Sequence, residues 1–260
     1  MLRSTFCHLT GIGPISENAL WRAGCRDWND LREGRGTHGL PTERLKLWRQ
    51  ELERSEHSIR SRDPGFFSKR LPSGEAWRIA PEFRREIAYL DIETTGLSPY
   101  EGIVTVVAVH GGGATRSFIA DDDLEELPAY LRKFPILCTF NGRTFDVPFL
   151  QARFPEMIFP ETHLDLRYIL YRLGQAGGLK RIEERLGVVR GADVKGVDGL
   201  EAVRLWHAHR AGRAGALERL VLYNRADTVN LEPLLAYATR ELTKRTLGAA
   251  PAPRTMGLPF

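Results

Sequence analysis

Three strand-like runs follow one another within 35 residues, and they limit the folds open to the chain. They are "EIAYLDIE" from residue 86, "IVTVVAVHG" from residue 103 and "TRSFIA" from residue 115, with "GGG" turning between the last two. Each is rich in β-branched or aromatic residues and ends in turn residues. Next come a helical segment, "DDLEELPAYLRKF", a fourth strand, "PILCTFN", and a helix opened by Asp146, "VPFLQARF". The helical segment has acids at its start and Arg132 and Lys133 at its end, matching the helix dipole. A short fifth strand is expected near "THLDL", then helices over 166–174, 179–187, 199–211 and about 216–245. A meander followed by alternating helix and strand predicts an α/β fold with a mixed sheet flanked by helices.

The first third reads differently. Residues 1–35 form a small helical unit. Over 41–60, Pro41 suits a first helical turn, and Leu45, Trp48 and Leu52 recur at helical spacing. Pro64, Gly65, Pro72, Gly74 and Pro81 mark an irregular connector over 61–85. The expected organisation is therefore a unit at 1–35, a helix and connector at 36–85, the α/β domain at 86–247 and a disordered tail at 248–260.

At 42% hydrophobic and 27% charged, 260 residues hold ample material for a core. No apolar run approaches the roughly 18 residues of a membrane span. The first residues lack a signal-peptide core, and the three cysteines, Cys7, Cys25 and Cys138, are scattered. A reduced, cytoplasmic protein is expected, without a thiolate zinc site. Charge is uneven: residues 1–85 carry 16 Lys and Arg against 11 Asp and Glu, the rest 21 against 22. A basic first third fits a polyanionic partner and also an ordinary solvated surface.

The first strand poses a problem. Residues i and i+2 of a strand share a face, so Asp91 and Glu93 project side by side among apolar neighbours. Unit charges about 4 Å apart repel by about 4 kcal/mol at an effective dielectric near 20. A strand end emerging into solvent would tolerate the pair; a buried one needs a cation. Asp146 follows the fourth strand and Asp227 lies on the long last helix. In open α/β sheets strand ends and the helix starts beside them gather at one crevice. Four carboxylates there would balance two divalent cations, and hard oxygen ligands select Mg²⁺ or Mn²⁺. Two such ions suit in-line phosphoryl displacement.

"DIETTGL", "NGRTFDVPFL" and "YNRAD", in that order, resemble the three motifs of the DEDD, or DnaQ-like, exonuclease superfamily. The resemblance implies a ribonuclease H-like fold, 3′–5′ exonuclease activity on DNA or RNA, and two bound ions. It assigns Asp91, Glu93, Asp146 and Asp227 as metal ligands. Leu222 stands where one subclass has His, while Tyr223, four residues before the last acid, matches the tyrosine subclass, in which it positions the attacking water. By the same resemblance the backbone of Thr94, Thr95 and Gly96 approaches the terminal nucleotide, Leu97 wedges against a base, and Asn141 and Phe145 line the strand. "FCHLTGIGPISENALWRAGCRDWNDL", "FFSKRLPSGEAWRIAPEFRREIAYLDIETTGL" and "GGLKRIEERLG" through "YNRADTVNL" are also similar to the bacterial YprB-like ribonuclease H-like family, over nearly the whole chain. These residues do not resemble the polymerase that accompanies such exonucleases in family B, and the substrate channel is expected to come from residues 1–85 or from a protein partner.

"LTGIGPISENALWRAGC" resembles a helix-hairpin-helix, with Gly11 and Gly13 letting backbone N–H groups approach a phosphate, or else forming a tight turn between packed helices. Asp165 is read as a helix N-cap or an accessory acid. Lys180 is read as a phosphate contact or a solvated lysine, His207 and His209 as surface, and Trp21, Trp28, Trp48 and Cys138 as core. The competing functional readings are a non-catalytic module binding nucleic-acid structure and an endonuclease of the same fold.

Overall fold

The computed structural model describes residues 1–191 and 198–248. The chain divides into two compact units, Arg84–Ala238 and a second made of Met1–Phe83 with the chain from Thr239 onward.

The Met1–Phe83 part is helical. It contains α1 (Pro14–Arg22), α2 (Trp28–Glu33), α3 (Thr42–Arg60) and α4 (Gly65–Ser68), with 3₁₀ turns at Leu2–Ser4 and Ser73–Ile79. The helical spacing in α3 buries Trp48, Leu52 and Ile59. Where an irregular connector is expected over 61–85, the chain forms α4 and the 3₁₀ turn Ser73–Ile79, and Phe67, Trp77, Ile79 and Phe83 are fully buried. Phe67 stacks on Trp28, so residues on both sides of α3 share one core. That core holds a charged pair. Glu17, in the first turn of α1, accepts from the Phe6 N–H (2.6 Å), the Cys7 N–H (3.1 Å) and Arg78 Nη1 (2.7 Å). Arg78 Nε also donates to Glu75 Oε2 at 2.7 Å. A buried charge is tolerated when it is paired and hydrogen-bonded in this way.

Arg84–Ala238 is built on a five-stranded mixed sheet: β1 (Ile87–Thr94), β2 (Val104–Gly111), β3 (Ala114–Ile119), β4 (Ile136–Thr139) and β5 (Thr162–Asp165). The order is β3-β2-β1-β4-β5. β1, β2 and β3 form the antiparallel meander, and β4 and β5 join parallel to β1. The expected helix over 122–134 is instead a 3₁₀ turn, Leu124–Glu126, followed by α5 (Leu127–Leu131). Pro128 explains the break: without an N–H it belongs in a first turn, so the α-helix begins there. Further along lie α6 (Asp146–Arg153), α7 (Leu166–Tyr171), α8 (Leu179–Leu186), α9 (Gly199–Arg210) and α10 (Ala216–Gly248). Gly248, expected in the tail, ends α10, and the rest of that tail lies outside the described residues.

Strand alternation sorts the sheet between two cores. Ala88, Leu90 and Ile92 join Phe149 and Leu150 of α6 and Leu127 and Leu131 of α5. On the other face, Val106 packs with Ala202, Leu205 and Trp206 of α9 and Leu220 and Tyr223 of α10. Asp91 and Glu93 point to the face opposite Leu90 and Ile92. The register slips by one residue between Glu93 and Thr94, where Glu93 pairs Val106 and Thr94 pairs Val104. The slip leaves Thr105 unpaired, and its hydroxyl donates to the Glu93 carbonyl at 3.0 Å.

Candidate metal centre and active site

β1 delivers Asp91 and Glu93, and α10 delivers Tyr223 and Asp227, four residues apart and so on one helical face. One carboxylate oxygen each from Asp91, Glu93 and Asp227 lie within 4.8 Å of one another. Glu93 and Asp227 are buried and Asp91 half-buried. Asp146, the first residue of α6 and also buried, stands outside this trio, close enough for its charge to bear on Asp91 and Glu93.

Burial pushes Asp91 well above the usual carboxylate range, and the charges of Asp227, Asp146 and Glu93 push it further. Burial and then Asp227 do the same to Glu93. Asp146 is pushed up to about 7, chiefly by burial, while the Ile92 backbone N–H draws it down. Asp227 is raised by burial against the pull of Arg190. Like charges forced together without water favour protons or a metal cation. An all-oxygen set of three carboxylates fits a hard divalent ion such as Mg²⁺ or Mn²⁺. A fully buried Asn224 Oδ1, without a hydrogen-bond partner, leaves further acceptor capacity.

Several groups hold these acids in place. The Tyr223 hydroxyl donates to Asp227, and burial, then the charge of Asp227, raises its pKa above the usual phenol range. Asn224 Nδ2 donates to Asp91 Oδ2 at 2.8 Å. Lys180, in the first turn of α8, places Nζ 4.7 Å from the Tyr223 ring centre, and its charge favours the ionised forms of Glu93 and Asp227. The Arg190 guanidinium forms an ion pair with Asp227. Sequence reading missed Asn224 and Arg190. Asn224 had a signal, being three residues before Asp227 in the third motif and thus on its side of the helix. Arg190 lies in no motif.

The expected strand-lining residues form two loops. After β1, Thr94 Oγ1 donates to the Gly96 carbonyl at 2.6 Å, and the Thr95 N–H reaches the Ile103 carbonyl at 3.0 Å. Gly96 and Gly102 cross so closely that a Cβ on Gly102 would lie 2.7 Å from Gly96 N. The crossing thrusts Leu97 into solvent, 90% exposed. After β4, Asn141 adopts φ +68. Its N–H donates to Asp165 Oδ1 (2.8 Å), and its side-chain oxygen accepts from Arg167 Nη1 (2.6 Å) and Thr144 Oγ1 (2.9 Å). Phe145 is half-buried with its ring 4.9 Å from that of Phe149. Asp165 caps α7 through the Arg167 N–H and also accepts the Arg143 N–H, both at 3.1 Å.

Gly11 (φ +77) and Gly13, the N-cap of α1, lie in the other unit. Preceding them is the 3₁₀ turn Leu2–Ser4. The neighbouring Thr10 gives its N–H and hydroxyl to Glu51 (2.9 and 2.5 Å), and Trp48 Nε1 donates to its carbonyl. This side of the hairpin is committed to α3. Trp21, Trp28, Trp48 and Cys138 are buried, and His207 is exposed. No helix among the described residues is long and apolar enough to cross a membrane.

Comparison with known proteins gives three results. A family model of the RNase_H superfamily, RNase_H_2, matches residues 88–239. No curated protein matches the sequence. Among solved structures, a family B DNA polymerase from the hyperthermophilic archaeon Pyrobaculum calidifontis is 18% identical with a TM-score of 0.47; the match covers 58% of this chain and 24% of the polymerase. Brucella melitensis NrnC bound to pGG is 23% identical with a TM-score of 0.43, covering 64% of this chain and 79% of NrnC. The same protein with bound Mg²⁺ gives the same identity, TM-score and share of this chain, with 80% of NrnC covered.

Proposed function

The chain belongs to the RNase_H superfamily, and from that premise we propose that it is a metal-dependent nuclease, a 3′–5′ exonuclease hydrolysing phosphodiester bonds of DNA or RNA. One observation carries the reading: Asp91, Glu93 and Asp227 place oxygens within 4.8 Å of one another around buried positions, with Asp146 alongside. Asp91, Glu93, Asp146 and Asp227 would hold two Mg²⁺ or Mn²⁺ ions between them. When bound, such ions lower the pKa of the attacking water and stabilise charge on the attacking and leaving oxygens. The chain's own groups do the rest. Tyr223 orients the attacking water while its hydroxyl stays near Asp227. Asn224 fixes the Asp91 carboxylate.

Lys180 offers its charge to a phosphate. The crossing at Gly96 lets the backbone of Thr94–Gly96 meet the terminal nucleotide, and the exposed Leu97 can insert against a base. Asn141 and Phe145 guide the strand behind it. In the helical unit, Gly11 and Gly13 contact the nucleic-acid backbone at a site of their own.

The test is a time course with Mn²⁺ or Mg²⁺ on DNA and RNA strands labelled at the 5′ end, beside Asp91→Ala and Asp227→Ala. A ladder shortening from the 3′ end, absent in both variants, is expected. Undiminished hydrolysis by Asp227→Ala would refute the assignment. Strand binding without cleavage by the native chain would point to a non-catalytic recognition module.

A further inference from the structure

The geometry points to Arg190 as a resident cation that holds Asp227 in the metal-free protein and must yield that carboxylate when a divalent ion binds. The inference rests on the reading of the acids as metal ligands.

Arg190 is placed by the chain around it. α8 ends at Gly187, whose left-handed backbone (φ +71) closes the helix, and the Val188 N–H returns to the Glu183 carbonyl at 2.9 Å. A helix end of this kind reverses the chain sharply. It returns Arg190 to the side of Glu183, one turn back. There the guanidinium makes two separate pairings. Its Nε and Nη2 both lie 2.5 Å from Glu183 Oε2, and its Nη1 pairs with Asp227. Glu183 is only 1% exposed, and its other oxygen accepts from Asn230 Nδ2 at 2.9 Å. Asn230 lies three residues beyond Asp227 on α10, so one helical face carries both ends of the network.

The two pairings differ in role. Glu183 is not a member of the acidic trio and anchors one edge of the guanidinium fork. Asp227 belongs to the trio, and an ion drawn in by Asp91, Glu93 and Asp227 competes with Nη1 for it. A guanidinium has five donors in a fixed plane and keeps its charge at any working pH. It can lose Asp227 and remain on Glu183, close to the centre. Two consequences follow. Without metal, Arg190 offsets part of the repulsion among the acids. With metal, its positive charge opposes the incoming cation. Removing it should therefore tighten metal binding and weaken the empty protein. Coupling free energies between two interacting groups in a protein typically correspond to about 5-fold to 150-fold in affinity.

Mn²⁺ is titrated calorimetrically into the full chain and into Arg190→Gln and Arg190→Lys, and each is melted in chelator and in saturating Mn²⁺. The Gln variant is expected to bind Mn²⁺ about tenfold tighter. It should melt lower than the native chain in chelator and level with it in Mn²⁺. The Lys variant keeps the charge without the fork and should fall between. Equal or weaker Mn²⁺ binding by a folded Gln variant would overturn the inference. If that variant does not fold without metal, it is prepared in Mn²⁺ and compared by chelator competition. Tighter retention then supports the inference and looser retention overturns it. Failure of the native chain and both variants to bind Mn²⁺ would overturn the metal reading itself, a different result from a bound ion indifferent to residue 190.

Discussion

Asp165 decides between two accounts of the wall beside the centre. Its carboxylate, 3% exposed, accepts backbone N–H groups from Asn141 (2.8 Å), Arg143 (3.1 Å) and Arg167 (3.1 Å). The first two fix the loop in which Asn141 takes its left-handed conformation, and the third caps α7. A hydrogen bond to a charged acceptor contributes about 1.5–3 kcal/mol, and a lost cap costs about 1. Water can reach the opened loop, so the three do not add in full. Asp165→Ala should cost about 3 kcal/mol. At about 2–4 °C per kcal/mol for a domain of this size, the melting point should fall by about 6–12 °C. Melting in chelator measures that loss, and a Mn²⁺ titration measures the centre. The expected outcome is a large drop in melting temperature with Mn²⁺ affinity within about threefold, because Asp165 lies outside the cluster of Asp91, Glu93 and Asp227. Unchanged melting with lost Mn²⁺ affinity would refute this and make Asp165 a ligand.

The metal-free centre should also show in the pH dependence of stability. Asp146, raised to about 7 by burial, stays protonated in the folded chain where the unfolded chain has ionised, so its folded state binds more protons between about pH 4 and 7. Relative to Asp146→Asn, the native chain in chelator should lose up to about 4 kcal/mol as pH rises through that window. A flat difference would contradict the assignment. The comparison must be between variants, since buried His8 and His163, lowered to about 3 and 4, tilt the overall curve the other way. Tyr223→Phe removes a donor to Asp227 but no ligand, and should slow hydrolysis by less than about a hundredfold. A loss equal to that of Asp227→Ala would mean that Tyr223 does more than orient water. In the helical unit, Arg78→Met strands the Glu17 charge among backbone donors and should cost about 3–5 kcal/mol by urea unfolding. A cost under about 1 kcal/mol would show that the pair contributes little.

What the sequence reveals depends on how locally each feature is encoded. The meander and the five strands follow from runs of β-branched and aromatic residues bounded by turns, the faces of β1 follow from period 2, and the structure has them in a mixed sheet. Asp91 with Glu93, and Tyr223 with Asp227, are legible because period 2 and period 3.6 put each pair on one side of its own element. The helix over 122–134 was overextended because its charge pattern concealed the stop that Pro128 imposes. Residues 61–85 read as an irregular connector because prolines and glycines punctuate them, although Phe67 and Trp77 are core; Phe67 stacks on Trp28 of α2, a contact that local period does not encode. Arg190 was invisible for a related reason. Its partners Glu183 and Asp227 lie 7 and 37 residues away, and only a folded turn at Gly187 joins them.

The register slip after Glu93 sets a rule for how this protein can change length. Thr105 is the extra residue that lets β1 and β2 fall out of step just beyond the second acid. Deleting it would restore an unbroken ladder and turn Val104 and the loop leading into it to the opposite face of the sheet. Lengthening the stretch from Ser98 to Glu101, on the outer side of the crossing at Gly96 and Gly102, would leave the ladder untouched. Insertions in this hairpin should therefore be tolerated at its tip and rejected at its base, so that descendants of this chain could vary what reaches the substrate without moving the acids.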